Sequence, residues 1–225
     1  MKYHVGIRLN GYARDFIKAL TCEISKQFDL NNLEKRIVPH ITLLRPFSVK
    51  DEEKLVHSFE DTLSKYENPM FYTINGFGTF ENEEKVIYSK IEKNKQIEEI
   101  IFDLEKSFGD NINYLSQKIN LPSEKENTNL HCSIVAKGAN AYFDYIKDFI
   151  KKQNFPEQVQ PILRIYLLRN DFILKEHDFY LEKSLGRFDA INPFVFRETL
   201  EMFRKKTNLD FSNGVICPLP TKFKL

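Results

Sequence analysis

One order of residue types occurs twice in this chain, and any fold it adopts must accommodate both copies. Pro39-His40-Ile41-Thr42-Leu43-Leu44 and Leu130-His131-Cys132-Ser133-Ile134-Val135 each run histidine, apolar residue, hydroxyl residue, with the histidines 91 positions apart. On a strand, alternate side chains point to opposite faces. His40 and Thr42 therefore share one face while Ile41 and Leu43 take the other, and His131 and Ser133 oppose Cys132 and Ile134 in the same way. Each run gives a cleft one imidazole and one hydroxyl and turns its apolar alternates into a core.

The elements around the two runs repeat as well. Tyr3 to Leu9 alternates as a first strand. Phe16, Leu20, Ile24 and Phe28 form a helical stripe over Tyr12 to Phe28. Ile37 to Leu44 is the first motif strand, and a helix with Leu55, Phe59 and Leu63 on one side spans Ser48 to Tyr66, with Asp51 and Glu52 near its positive end. Strands follow at Phe71 to Phe77 and Lys85 to Ile91, with Glu81-Asn82-Glu83-Glu84 as the turn between them. The order then recurs. A helix over Lys95 to Phe108 carries Ile97, Ile100, Ile101, Leu104 and Phe108 and stops at Gly109. A polar loop from Leu121 to Asn129 leads into the second motif strand, Leu130 to Ala136. A helix over Ala141 to Lys152 and a hairpin of Pro161 to Leu168 and Phe172 to Leu181, turned at Asn170-Asp171, complete the copy.

The expected fold is therefore α+β, with two pseudo-symmetric lobes. Each lobe is an antiparallel sheet with helices on its outer face, and the H-x-T/S strands line the central cleft. Residues 1–183 make one bilobal domain, from duplicated βαβαβ units at approximately 3–80 and 85–182. Residues 184–225 form an extension with one helix, begun by Asn192-Pro193 and striped by Phe196, Leu200 and Phe203. The tail around Cys217-Pro218-Leu219-Pro220 is irregular.

Composition limits the function classes. With 33 basic and 32 acidic residues the net charge is +1, which argues against a long nucleic-acid track but not against a pocket for one phosphate or a short oligonucleotide. Cys22, Cys132 and Cys217 lack C-x-x-C spacing and read as reduced thiols. No run of about 18 apolar residues offers a membrane span. The N-terminus enters a strand-like segment with no signal-peptide apolar region. The expected compartment is the cytoplasm, with no membrane partner. Two histidines are too few for a zinc site, which takes three or four protein ligands, and neither motif has a carboxylate at i+3 or i+4. No metal and no cofactor are expected.

Paired H-x-T/S strands in a duplicated α+β chain resemble the 2H phosphoesterase superfamily, which includes the 2′-5′ RNA ligase-like proteins, also described as RNA 2′,3′-cyclic phosphodiesterases. The resemblance runs from about Tyr3 to Leu181 and includes Gly76-Phe77-Gly78-Thr79-Phe80, similar to a glycine–phenylalanine turn of that family. It departs at Ser133, where many members carry threonine. It implies metal-independent opening of 2′,3′-cyclic phosphate ends of RNA or a related nucleotide, with reverse 2′-5′ ligation on the same groups. His40 and His131 would be the acid–base pair, and Thr42 and Ser133 would hold the phosphate oxygens. Which histidine is acid and which is base stays open. A hydrolase of 2′-5′-linked or cyclic oligonucleotides, a non-catalytic nucleotide- or RNA-binding module, and an interaction protein working through the extension stand as alternatives.

Other residues carry weaker signals. Arg45 and Lys137 lie just past the motif strands and are candidates for steering a phosphate. Phe47, Phe80 and Tyr166 are candidate base contacts, set against core packing in a chain with 20 Phe. His4, His57 and His177 lack the motif and read as structural or solvated.

Overall fold

The computed structural model describes residues 1–30, 38–66, 69–81, 85–92, 94–115, 130–135, 139–153, 157–209 and 211. Lys137, the turn at 82–84, the loop at 121–129 and the tail at 217–220 lie outside the described residues.

Among the described residues, ten strands divide into two antiparallel sheets. β1 (Tyr3–Arg8), β2 (His40–Val49), β5 (Ile112–Tyr114), β8 (Arg164–Arg169), β9 (Phe172–Asp178) and β10 (Lys183–Leu185) form a six-stranded sheet in the order β10-β9-β8-β1-β2-β5. β3 (Phe71–Glu81), β4 (Lys85–Ile91), β6 (His131–Val135) and β7 (Gln158–Pro161) form a four-stranded sheet in the order β6-β4-β3-β7. This is the two-lobed α+β architecture. The sheets do not follow the two halves of the sequence, however, because each takes strands from both. The chain crosses between them at Ile162-Leu163, both fully buried, so the single expected strand from Pro161 to Leu168 is two strands in different sheets.

The helices show why the halves interlock. α1 (Gly11–Gln27) buries Ala13, Ile17, Leu20 and Ile24, and Thr21 Oγ1 donates to the Ile134 carbonyl (3.4 Å), so it lies against β6 of the four-stranded sheet. Phe16 and Phe28 are only partly buried. α2 (Glu52–Leu63) and α3 (Lys95–Phe108) pack on each other and against β9 and β2 of the other sheet. Leu55, Phe59 and Leu63 of α2 and Ile97, Ile100, Ile101, Leu104 and Phe108 of α3 form the buried stripes. Each such side chain contributes about 1.5–3 kcal/mol on full burial. α4 (Phe143–Lys151) buries Phe143, Ile146 and Ile150, and Phe149 meets Phe28 beyond the end of α1.

Several boundaries differ from expectation for local reasons. β2 continues through Val49 because Phe47, Ser48 and Val49 pair with Tyr114, Asn113 and Ile112 of β5. The following helix is therefore capped by Asp51, whose side chain accepts from the Lys54 amide at 3.0 Å, and not begun at Ser48. Gly76 to Phe80 is no turn. These residues continue β3, with a bulge between Ile74 and Phe77 where Gly76 takes φ of +68°.

The expected boundary after residue 183 falls inside β10, which pairs Lys183 with Asp178 and Leu185 with Glu176. α5 (Arg187–Ala190) and α6 (Pro193–Thr207) follow, with Asn192 capping α6 and Pro193 in its first turn. Phe203 of α6 is fully buried against Phe71, Tyr180 and Phe211. The described part of the extension thus packs into the core. Among the described residues, no helix is long and apolar enough to cross a membrane.

Candidate active site

The two motif strands meet where the sheets meet. β2 and β6 approach within 8 Å between Cα atoms, and the Cys132 thiol of β6 interacts with the His40 backbone of β2. Burial pushes that thiol up to about 12, so Cys132 stays a neutral packing group between the strands. As the alternation requires, Ile41, Cys132 and Ile134 are fully buried. His40, Thr42, His131 and Ser133 are half-buried, at the boundary of core and solvent.

His40 is held in a defined orientation. Its Nδ1–H donates to the Val38 carbonyl at 2.6 Å. A carbonyl can only accept, so the proton sits on Nδ1 and the neutral ring presents Nε2 as its acceptor. The ring lies 6.2 Å from His4 and 6.5 Å from Tyr166, centroid to centroid. His131 is enclosed differently, with Phe80 and Tyr88 each 5.1 Å away and those two rings stacked at 4.4 Å.

Register explains both surroundings. In the six-stranded sheet, Thr42 stands opposite Gly6 and Gly6 opposite Tyr166. In the four-stranded sheet, Ser133 stands opposite Tyr88 and Tyr88 opposite Gly78. Each motif hydroxyl thus heads a row holding one glycine and one tyrosine, in opposite order. The glycines leave room for the rings. A Cβ on Gly6 would lie 2.5 Å from both the Tyr166 hydroxyl and the Ile41 carbonyl, and one on Gly78 would lie 2.6 Å from Tyr88 Cζ. Register also sets a cation beside each histidine: Arg8 opposite His40 and Lys90 opposite His131.

The remaining expected contacts fare unevenly. Phe47 is fully buried, ringed by Tyr3, Phe108 and Tyr114. It packs the core and cannot stack a base, because it pairs with Tyr3 on the apolar face of β1. Arg45 lies over the Tyr114 ring at 4.9 Å, on the edge strand β5. Tyr166 adjoins His40 but is only 3% exposed, a wall of the site and no open platform. Phe80, partly exposed, stands beside His131.

His4, Arg8, Gly6, Tyr88 and Lys90 carry no motif, yet the fold brings them to the motif residues. The signal for three of them lay in β1, where Tyr3, Val5 and Ile7 alternate with His4, Gly6 and Arg8. The second set is a polar face. Burial, then the nearby His40 and Lys2, lower His4 to about 4, with Asp171 opposing, so His4 is neutral near pH 7. No group of three or more His, Cys, Asp or Glu with metal-binding geometry occurs among the described residues.

A family model described as the 2′-5′ RNA ligase superfamily matches residues 13–171. The crystal structure of TT0787 of Thermus thermophilus is similar with a TM-score of 0.50 at 15% sequence identity, over 80% of this chain and 98% of that one, which is a likeness of fold. No curated protein matches the chain.

Proposed function

Because the chain belongs to the 2′-5′ RNA ligase superfamily, a phosphoesterase- and ligase-type superfamily, we propose that it opens 2′,3′-cyclic phosphate ends of RNA or of a related nucleotide. His40 and His131 are its acid–base pair. One neutral imidazole takes a proton from water as the water oxygen bonds to phosphorus. The P–O bond to one ribose oxygen breaks, and the second, protonated imidazole delivers its proton there. Thr42 and Ser133 hydroxyls donate to the non-bridging oxygens as negative charge grows on them. The observation that carries this reading is the Val38 hydrogen bond, which leaves His40 Nε2 as the working nitrogen in both protonation states. The same groups run in reverse join a 2′-hydroxyl or 5′-hydroxyl to the ring phosphate, which is ligation. Phe80, stacked on Tyr88 beside His131, supplies a surface for the terminal base.

Oligonucleotides ending in 2′,3′-cyclic phosphate, incubated with the protein in EDTA, test the reading. Ring opening by wild type, falling about a hundredfold or more in both His40→Ala and His131→Ala, is the expected outcome. Absence of turnover would transfer the site to 2′-5′-linked or cyclic oligonucleotides. Tight binding without turnover of any of these would leave a binding module.

A further inference from the structure

Arg8 stands opposite His40 in the β1–β2 register, so the two share a sheet face. One edge of its guanidinium is clamped. Nε and Nη2 donate to Glu176 Oε1 at 3.2 and 2.6 Å, and Nη2 also reaches Oε2 at 2.7 Å and the Ala190 carbonyl at 3.4 Å. Glu176 is 1% exposed and shared with Arg164, whose Nη1 lies 3.5 Å from Oε2. Arg164 in turn donates from Nε to Asp178 (2.7 Å), from Nη2 to Thr199 Oγ1 (2.6 Å) and from Nη1 to the Ala190 carbonyl (3.2 Å). The Arg8 side chain nevertheless remains 33% exposed, and among the described residues Nη1 donates to no protein acceptor.

A buried, doubly shared carboxylate that fixes one edge of a half-exposed guanidinium pre-organises the other edge for an anion. Arg8 and Arg164 are balanced by Glu176 and Asp178, so what Arg8 offers an anion is an oriented, uncommitted Nη1 and not an excess of charge. The second histidine also has a cation opposite it, Lys90, but exposed.

We propose that Arg8 is a subsite for a second phosphate, the internucleotide phosphate next to the terminal ring, and that the segment carrying Ala190 and Thr199 is built into the fold to hold it there. The inference rests on the phosphodiesterase reading and makes the preferred substrate an oligonucleotide end and not a cyclic mononucleotide. The segment bearing Ala190 also carries Phe188, Ile191 and Phe194, 86%, 57% and 69% exposed, suited to unpaired bases of a longer strand.

The test compares kcat/KM for a 2′,3′-cyclic mononucleotide with that for a dinucleotide of the same terminal base ending in the cyclic phosphate. Wild type should favour the dinucleotide by about tenfold or more, a ratio that shrinks as salt is raised. Arg8→Gln should bring the ratio close to one, Arg8→Lys should restore part of it, and Glu176→Gln should raise KM for the dinucleotide. Melting curves identify variants that fail to fold. Equal kcat/KM for the two substrates in wild type, which needs no variant, overturns the proposal, as does an unchanged ratio in folded Arg8→Gln. Turnover of neither substrate removes the phosphodiesterase reading instead. Arg8 is then judged by the affinity of a dinucleotide 3′-phosphate against a mononucleotide 3′-phosphate, where equal values overturn the subsite.

Discussion

The His40 ring is fixed by a carbonyl two residues before it and bordered by a second imidazole that stays uncharged. His4 has its folded value lowered from 6.5 to about 4, by burial first and then by His40 and Lys2. Between those values the unfolded chain binds the proton and the folded one does not. Stability from this group is therefore complete above about pH 6.5 and lost as pH falls toward 4. Burial lowers His177 in the same direction. His4→Phe should flatten the fall of melting temperature between pH 6.5 and 4, and an unaltered slope would exclude His4 as its source. On the second side of the site, Phe80→Ala should weaken binding of a purine-ended substrate by about 1–3 kcal/mol, seen in KM more than in kcat. Residues that declare themselves by type and spacing, the two histidines and two hydroxyls, were legible in the chain. His4, Arg8 and Lys90 were not, because their position depends on which residue stands opposite on the next strand, and that is set by register.

Strand pairing turns two glycines into requirements. Gly6→Ala drives a methyl against a backbone carbonyl, which cannot swing away, and against the Tyr166 hydroxyl. For Gly78→Ala the nearest atoms all belong to the Tyr88 side chain and none to the backbone. Gly6→Ala should cost about 1–3 kcal/mol by overpacking and lower the melting temperature. Gly78→Ala should cost less stability than Gly6→Ala, but displace Tyr88 from His131 and reduce turnover. Equal stability losses in the two would contradict the difference between a backbone and a side-chain obstacle. The amphipathic helices were legible, since their stripes at Leu55, Phe59 and Leu63, and at Ile97 to Phe108, need only the helical period. The short strands β5 and β10 were not, since three residues hold too little pattern. Phe47 could not be told from a surface aromatic until β5 was seen to extend its strand beside Tyr114.

The whole molecule is tied together by charges that water does not reach. Arg164, Glu176 and Asp178 are 4%, 1% and 0% exposed, and Asp178 also accepts from the Tyr180 and Leu181 amides at 3.0 and 2.9 Å. Removing one partner leaves an uncompensated buried charge. Asp178→Ala should therefore destabilise by about 3–5 kcal/mol, measured by denaturant unfolding, and a chain ending after residue 183 should lose cooperative unfolding altogether. A folded, stable truncation would show the extension to be dispensable. The two-lobed class could be read from element order, but the exchange of strands between halves could not, since it follows from long-range pairing. That exchange has a consequence for synthesis. β1 and β2 leave the ribosome early, yet Tyr166, the wall beside His40, arrives on β8 far later, and Glu176 later still. The first motif histidine therefore waits, while everything between β2 and β8 is made, in an antiparallel pair whose β1 edge has no partner until β8 emerges. A nascent chain can begin to assemble the site only when its last strands emerge, so a chain stalled before β9 has both histidines but lacks the frame that aligns them.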